Sequence, residues 1–377
     1  MRLLVLNNLY PPQELGGYGR SLFDFANELR ALGHQIQVLT SNAPYLDGDI
    51  GDEIGVCRNL LLLGSYENGL QLLNNAGDIH TRNVQNYRLL EQFMRTFQPQ
   101  AALVGNIDLL NPTLLHQLVA AGIHVWHHFG FANANVEIDQ LPLSSPLYHP
   151  LGGSQHTASA LQLAISSGSN VPVIYTGAQT WRFASLLSTP LSVPLKIAYA
   201  GLMIGSKGPQ VLLDALIRLK SLGIAFNAEF AGAEFGVDGL NPFQRYVADA
   251  DIANHVQFLG RLDRDTLAEF YARHQILVFP SIHPEGFGIV QVEAMAAGLL
   301  VISSGSGGAA ETVYDDVNGR RFRAGDGAHL AEVLQDVISN PARHEQLRKR
   351  ARRVACRCFD VGASSLKLAS LMQASLD

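Results

Sequence analysis

Short apolar runs at 2–6, 35–40, 101–105 and 123–126 alternate with stretches at 20–32 and 85–97 whose apolar residues recur three and four positions apart. Runs of that length bounded by turn residues predict buried strands, and the intervening spacing predicts amphipathic helices, the rhythm of a parallel sheet with crossover helices. The rhythm restarts near residue 196. Apolar runs at 196–201, 226–231, 256–259, 276–280 and 299–303 are separated by helical patterns such as VLLDALIRLKSL at 211–222 and DTLAEFYARH at 265–274. The pattern predicts an α/β protein of two Rossmann-like domains in tandem, residues 1–177 and 196–359. Between them 178–195 carries Pro190, Pro194 and several Ser and Thr without periodicity, as expected of a linker. Two further helical patterns follow, a basic one at 343–353 read as a solvated face, and one from about 362 to the end.

Length agrees with two domains, since 377 residues exceed the ~150 of an average one. With 47% hydrophobic and 16% charged residues, the chain has ample core material, which excludes intrinsic disorder. Residues 1–175 hold 7 arginines, no lysine and 13 acids, and the remainder balances 20 bases against 20 acids. A lysine-free acidic half is a poor surface for a phosphate backbone, so nucleic-acid binding is not expected. Three cysteines, Cys57, Cys356 and Cys358, suit neither a disulfide framework nor a four-ligand zinc site and point to a reducing cytoplasm. No run reaches the ~18 apolar residues of a bilayer span, so the chain is expected to be cytoplasmic, at most peripheral at the inner face of the membrane.

The strongest local signal is ILVFPSIHPEGFGIVQVEAMAAG at 276–298, a buried strand, a glycine-containing loop and a helix ended by Gly298. The amides of Phe287, Gly288, Ile289 and Val290 would point out of the first helical turn, and Gly286 and Gly288 would let a ligand approach the backbone. A diphosphate fits such a site. Glu285 precedes the turn and Glu293 follows about two helical turns later, so both carboxylates could reach one ligand. Carboxylates beside an anion do not neutralise it. Their natural targets are hydroxyls, which points to a nucleotide sugar rather than to free phosphate.

The run Glu285, Gly286, Phe287, Gly288 and then Glu293 resembles the E-x7-E motif of retaining glycosyltransferases, family 4 in particular. Other segments match in order. NLYPPQELGGYGRSLFDFANELRALGHQIQVLT at 8–40, with Gly16 and Gly17, resembles the family's first strand, glycine loop and helix. IAYAGLMIGSKGPQVLLDAL at 197–216 is similar to its G-R-x5-K-G segment, 258–281 to its nucleotide-side strand and helix, and 305–322 to its glycine turn and hairpin. The resemblance implies a GT-B architecture, two facing Rossmann-like domains with an interdomain cleft. The donor would lie mostly on the C-terminal domain and the acceptor mostly on the N-terminal one, with a last helix, about 360–377, crossing back. It further implies Lys207 on the donor diphosphate, Glu285 and the amides of Phe287 and Gly288 on the sugar, Glu293 on the ribose, and the backbone near Arg261 and Leu262 against the base. Retention would proceed without bound metal or other cofactor.

One position departs from the family. Its Arg directly after the glycine at 201 is replaced by Leu202, which leaves Lys207 and the helix amides to carry the anion. The family's His after the fourth strand aligns with His128, whose following Asp is Phe129 here, and His127 is the alternative. Two D-x-D strings, Asp47 to Asp49 and Asp249 to Asp251, read as a solvated loop and a solvated helix. The expectation is a hexosyltransferase using UDP-glucose or a related UDP-hexose, GDP-mannose next, on a glycan or lipid-linked sugar in polysaccharide biosynthesis. A nucleotide-sugar epimerase and a non-catalytic GT-B binding protein are the alternatives.

Overall fold

The computed structural model describes residues 1–377 except 47–49, 51, 52, 68, 134, 135, 166–169, 233–241 and 377. Its contacts divide the chain into two compact units, one of residues 1–176 with 361–377, the other of 177–360.

The first unit runs β1 (Arg2–Leu6), α1 (Tyr18–Ala31), β2 (Gln35–Ser41), β3 (Val56–Leu60), a small β4 (Gly64–Ser65) and β5 (Gln71–Leu72) pair, and α2 (Ala76–Phe97). It continues with β6 (Ala101–Val104), α3 (Thr113–Ala120), β7 (His124–Phe129), β8 (Tyr148–Gly152) and α4 (Gln155–Ile165). The sheet is parallel, in the order β3-β2-β1-β6-β7-β8. Leu3, Leu4, Val5 and Leu6 are all buried because both faces of a parallel sheet are covered, so β1 is apolar throughout rather than alternating. On α1 the buried Leu22, Phe25, Ala26 and Leu29 fall at helical spacing.

The second unit holds α5 (Thr180–Ala184), β9 (Leu195–Ala200), α6 (Pro209–Ser221), β10 (Phe226–Ala231), α7 (Pro242–Asp249), β11 (Val256–Gly260) and α8 (Arg264–Arg273). Then come β12 (Ile276–Phe279), α9 (Ile289–Ala296), β13 (Leu300–Ser303), β14 (Arg320–Arg321), α10 (Gly327–Ser339) and α11 (Pro341–Cys358). This sheet is also parallel, in the order β11-β10-β9-β12-β13-β14. One face packs Leu195, Ile197, Tyr199, Phe226 and Phe230 against Leu212, Leu216, Leu330 and Leu334 of α6 and α10. The last helix, α12 (Val361–Ala374), returns to the first unit, where Leu368 and Met372 join Leu22, Phe25 and Leu29 of α1.

Segment 178–195 is more ordered than its composition indicates. It carries α5, groups with the second unit, and buries Phe183 with its ring 5.7 Å from that of Tyr271. The edge strand β8 gave no sequence signal because Pro150 interrupts its apolar pattern, and an edge is where a sheet tolerates a residue without an N–H. In both sheets the strand order reverses once, between β1 and β6 and between β9 and β12. Such a reversal parts the loops at the strands' carboxyl ends and opens a crevice there.

Candidate donor site at the second sheet's switch point

The loops after β9 and β12 flank the crevice of the second unit, and each brings one charged group to it. Lys207 ends a 3-10 turn (Gly205–Lys207) after β9, and Glu285 lies six residues past the end of β12. The Lys207 Nζ donates to both carboxylate oxygens of Glu285, at 2.7 and 2.8 Å. Lys207 is 32% exposed and Glu285 13%, so the pair is partly withdrawn from water. The Ser281 hydroxyl donates to Glu285 Oε1 as well.

Backbone geometry fixes both loops. Gly208 has φ +69°, and a Cβ there would sit 2.1 Å from the Pro280 carbonyl oxygen, so only glycine lets the two loops touch. The Glu285 amide donates to the Ser306 carbonyl at 3.2 Å, and the Gly308 amide donates to the Glu285 carbonyl at 2.7 Å. Between them Gly307, at φ +64°, is so close that a Cβ would lie 2.6 Å from the Glu285 carbonyl oxygen. Glu285 is thus clamped by the loop after β13. Tyr199 adds a floor: its hydroxyl donates to the Leu202 carbonyl at 2.8 Å, and burial, with the Glu285 carboxylate second, raises its pKa well above the usual phenol value.

Helix α9 begins beside this pair. Its N-cap is Gly288, and no side chain caps it, so the first-turn amides carry the positive end of the helix dipole with no internal acceptor side chain. Phe287 is buried with its ring edge-on to Phe359 at 5.6 Å, which holds the turn down. Glu293 lies about one turn into the helix, only 2% exposed, 3.5 Å from the Tyr271 hydroxyl. Arg261 is exposed and Leu262 half-buried in the loop that follows β11. The structure therefore brings Lys207, Glu285, Gly286, Phe287, Gly288, Ile289 and Val290 together at one switch point. Sequence reasoning missed Ser281, Tyr199 and Gly307. Ser281 directly follows the strand and its loop proline, and the glycine-serine run at 304–308 was visible, but neither signalled a clamp on Glu285.

Residues 192–354 match the family described as glycosyl transferases group 1. A glycogen synthase of Mycobacterium tuberculosis is 24% identical over 400 residues, covering 96% of this chain and 91% of that protein. Residues 192–354 carry the group 1 glycosyltransferase domain. Among solved structures, a glycosyltransferase from Rickettsia africae superposes with a TM-score of 0.78 at 19% identity over 100% of this chain and 99% of that one. Anabaena HepE in complex with UDP-glucose superposes with a TM-score of 0.77 at 18% identity, over 99% and 100%. Both likenesses are of fold, and the fold is GT-B.

The first unit holds the histidines and the glycine pair of the sequence reading. His127 and His128, at the end of β7, are both buried. The His127 Nδ1 accepts from the Tyr148 hydroxyl at 2.7 Å, and its Nε2–H donates to the Gly105 carbonyl at 3.1 Å, so both ring nitrogens are engaged. The His128 Nε2–H donates to the Ile174 carbonyl at 2.9 Å, and Phe25 lies edge-on to its ring. Burial pushes the two pKa values down, to about 3 and about 4, so both rings are neutral at physiological pH. Both residues line a small pocket with Gly105, Ile107 and Phe131. Gly16 (φ +69°) and Gly17 are exposed, and Gly17 is the N-cap of α1.

Asp47, Gly48 and Asp49 lie outside the described residues. Asp249 ends α7, and Asp251 points to solvent with its carboxylate 2.7 Å from the Lys220 ammonium. Among the described residues no group of three or more His, Cys, Asp or Glu could hold a metal ion, and no helix is long and apolar enough to cross a membrane.

Proposed function

We propose that this glycosyltransferase is a retaining hexosyltransferase that takes a hexose from a nucleotide diphosphate sugar, UDP-glucose or a related UDP-hexose before GDP-mannose, and passes it to a glycan or lipid-linked sugar. The observation that carries the reading is the Lys207–Glu285 pair at the switch point, beside the uncapped start of α9. A diphosphate entering there meets an ammonium and helix amides, while the carboxylate behind the lysine faces sugar hydroxyls. HepE, of the same fold, binds UDP-glucose, which supports the choice of donor.

In this mechanism the bond between the anomeric carbon and the leaving phosphate oxygen breaks, and the acceptor hydroxyl attacks that carbon from the same face. The departing phosphate oxygen takes the acceptor proton. Such a path asks for stabilisation of the leaving diphosphate, which Lys207 and the preorganised amides of Gly288, Ile289 and Val290 supply. Glu293 holds the ribose, and Arg261 and Leu262 face the base. His128 acts as a neutral positioning group at the end of β7.

Leu202 favours one second reading, a protein that binds a nucleotide sugar without turning it over. Calorimetric titration with UDP-, GDP- and ADP-sugars and the matching free nucleotides tests donor binding, and product analysis with the donor that binds tests turnover. Sugar transferred to a glycan with its anomeric configuration retained supports the proposal. An isomerised donor identifies an epimerase instead, and tight binding without product supports the second reading.

A further inference from the structure

The second sheet carries another cavity, at the opposite end of its strands. Strand alternation puts Lys196 and Ala198 of β9 on one face, paired in register with Asn227 and Glu229 of β10, and Glu229 in turn with Gln257 of β11. Faces of parallel sheets are ordinarily apolar because helices cover them, yet this corner presents a lysine, two carboxamides and a carboxylate. It is the floor of a pocket of about 510 Å³, within the range of small-molecule sites. The walls are Arg273 and His274 at the end of α8, and Asn254 and His255 in the turn before β11.

The side chains that face this space are short of partners. The Lys196 ammonium, the His255 ring nitrogens and the carboxamides of Asn227, Asn254 and Gln257 make no hydrogen bond or ion pair among the described residues. Arg273 is held in place by Glu229, with two bonds of 2.7 and 3.0 Å, and its guanidinium lies 5.2 Å from the Phe270 ring centre. The buried His274 donates from Nδ1 to the Phe270 carbonyl at 2.6 Å, and its Nε2 is 3.5 Å from Glu229. The pocket therefore offers two cations around one fixed carboxylate, an adjoining imidazole and three open amides.

We infer that this pocket binds a monophosphorylated sugar. The ammonium and the guanidinium fit one phosphate, and the carboxamides with Glu229 fit several hydroxyls, since an amide both donates and accepts. Inorganic phosphate alone would leave most of the volume and the amides unused. The site is distinct from the donor site: Lys196 and Ala200 are four residues apart on β9, about 13 Å at 3.3 Å per residue, and Lys207 lies beyond the far end. The inference goes beyond the proposed reaction, because this ligand is neither the donor nor its leaving group.

The test is calorimetric titration of the full chain, in a buffer free of phosphate, with glucose 6-phosphate, mannose 6-phosphate and galactose 6-phosphate, and with inorganic phosphate and glucose as partial probes. At least one hexose phosphate should bind once per chain, with inorganic phosphate about tenfold weaker or worse and glucose weaker still. Lys196→Ala should cost about tenfold, and Asn254→Ala a smaller factor. Saturating UDP in the cell should change nothing, and its own binding is the separate readout of the donor site. The inference is overturned if none of the three hexose phosphates binds by about 10 mM, if UDP displaces them, or if Lys196→Ala binds as tightly as the parent. Lys196 is exposed, so the variant is expected to fold, and an unchanged melting temperature checks this.

Discussion

Replacing Glu285 by Gln separates the two jobs given to the Lys207–Glu285 pair. Glutamine keeps the shape and can keep the contact with Ser281, but removes the negative charge that receives two bonds from Lys207. A phosphate oxygen bound on the other side of the ammonium would lie about 5 Å from that carboxylate. Their repulsion is about 0.8 kcal/mol at the dielectric of water and about 3 kcal/mol at an effective value of 20. Because Lys207 is 32% exposed, the lower part of that range applies, about 1 kcal/mol. Free UDP should therefore bind Glu285→Gln about fivefold more tightly. UDP-glucose gains the same relief but loses charge-assisted bonds to its sugar hydroxyls, about 1.5–3 kcal/mol. The ratio of the two affinities should shift by about ten- to a hundredfold against the sugar-bearing ligand, with turnover falling further. Titration calorimetry of parent and variant with both ligands reads that ratio directly. Equal changes for UDP and UDP-glucose, or weaker UDP binding, would refute the assignment of Lys207 to phosphate and Glu285 to sugar.

Lys207→Met should weaken UDP and UDP-glucose alike, by about ten- to a hundredfold, and unchanged affinities would remove Lys207 from the site. Glu293→Gln should also weaken both ligands by a common factor of about ten, in contrast to Glu285→Gln, when measured in the same titrations. Gly307→Ala places a Cβ 2.6 Å from the Glu285 carbonyl oxygen at a φ of +64°; it should displace Glu285, cost about 1–3 kcal/mol of stability and abolish measurable donor-sugar discrimination. The buried His128, with its pKa lowered to about 4, stays neutral in the folded state while the unfolded chain takes up a proton below about 6.5. Its contribution is complete above that pH and is lost as pH falls toward 4, about 3 kcal/mol in all. His128→Gln should flatten the pH dependence of stability by about 1.4 kcal/mol per pH unit between those limits, read from urea unfolding followed by Trp126 fluorescence in a Trp181→Phe background.

The apolar runs that became β1, β2, β6, β7 and β9 to β13 were legible because strands covered on both faces are mostly apolar. What escaped was carried by residues with weak patterns. β3 contains Arg58 and Asn59, β8 contains Pro150, and β14 is two arginines, so none reads as an apolar run. At the site, the loop–helix junction and its glutamates were visible in the chain, whereas the contact of Lys207 with Glu285 joins residues 78 apart and follows only from the strand order. The histidines show the opposite failing. Their position at the end of β7 was readable, but the carbonyls of Gly105 and Ile174 that engage their Nε2 atoms come from distant segments.

The two switch points also explain why the chemistry was concentrated in the second half of the sequence. At β1 and β6 the crevice-side loops carry Asn8 and Asp108, which Tyr66, just after β4, joins in one network: the Asn8 amide donates to the Tyr66 hydroxyl at 2.9 Å and to Asp108, and Tyr66 donates to Asp108 at 2.5 Å. The carboxylate of that network opposes a phosphate. At β9 and β12 the corresponding loops supply an ammonium, a helix start without a cap and glycines that admit a ligand to the backbone. Two sheets with the same strand order thus present different groups at equivalent crevices, a hydrogen-bonded Asn8–Tyr66–Asp108 network at the first and the Lys207–Glu285 pair beside a helix start at the second.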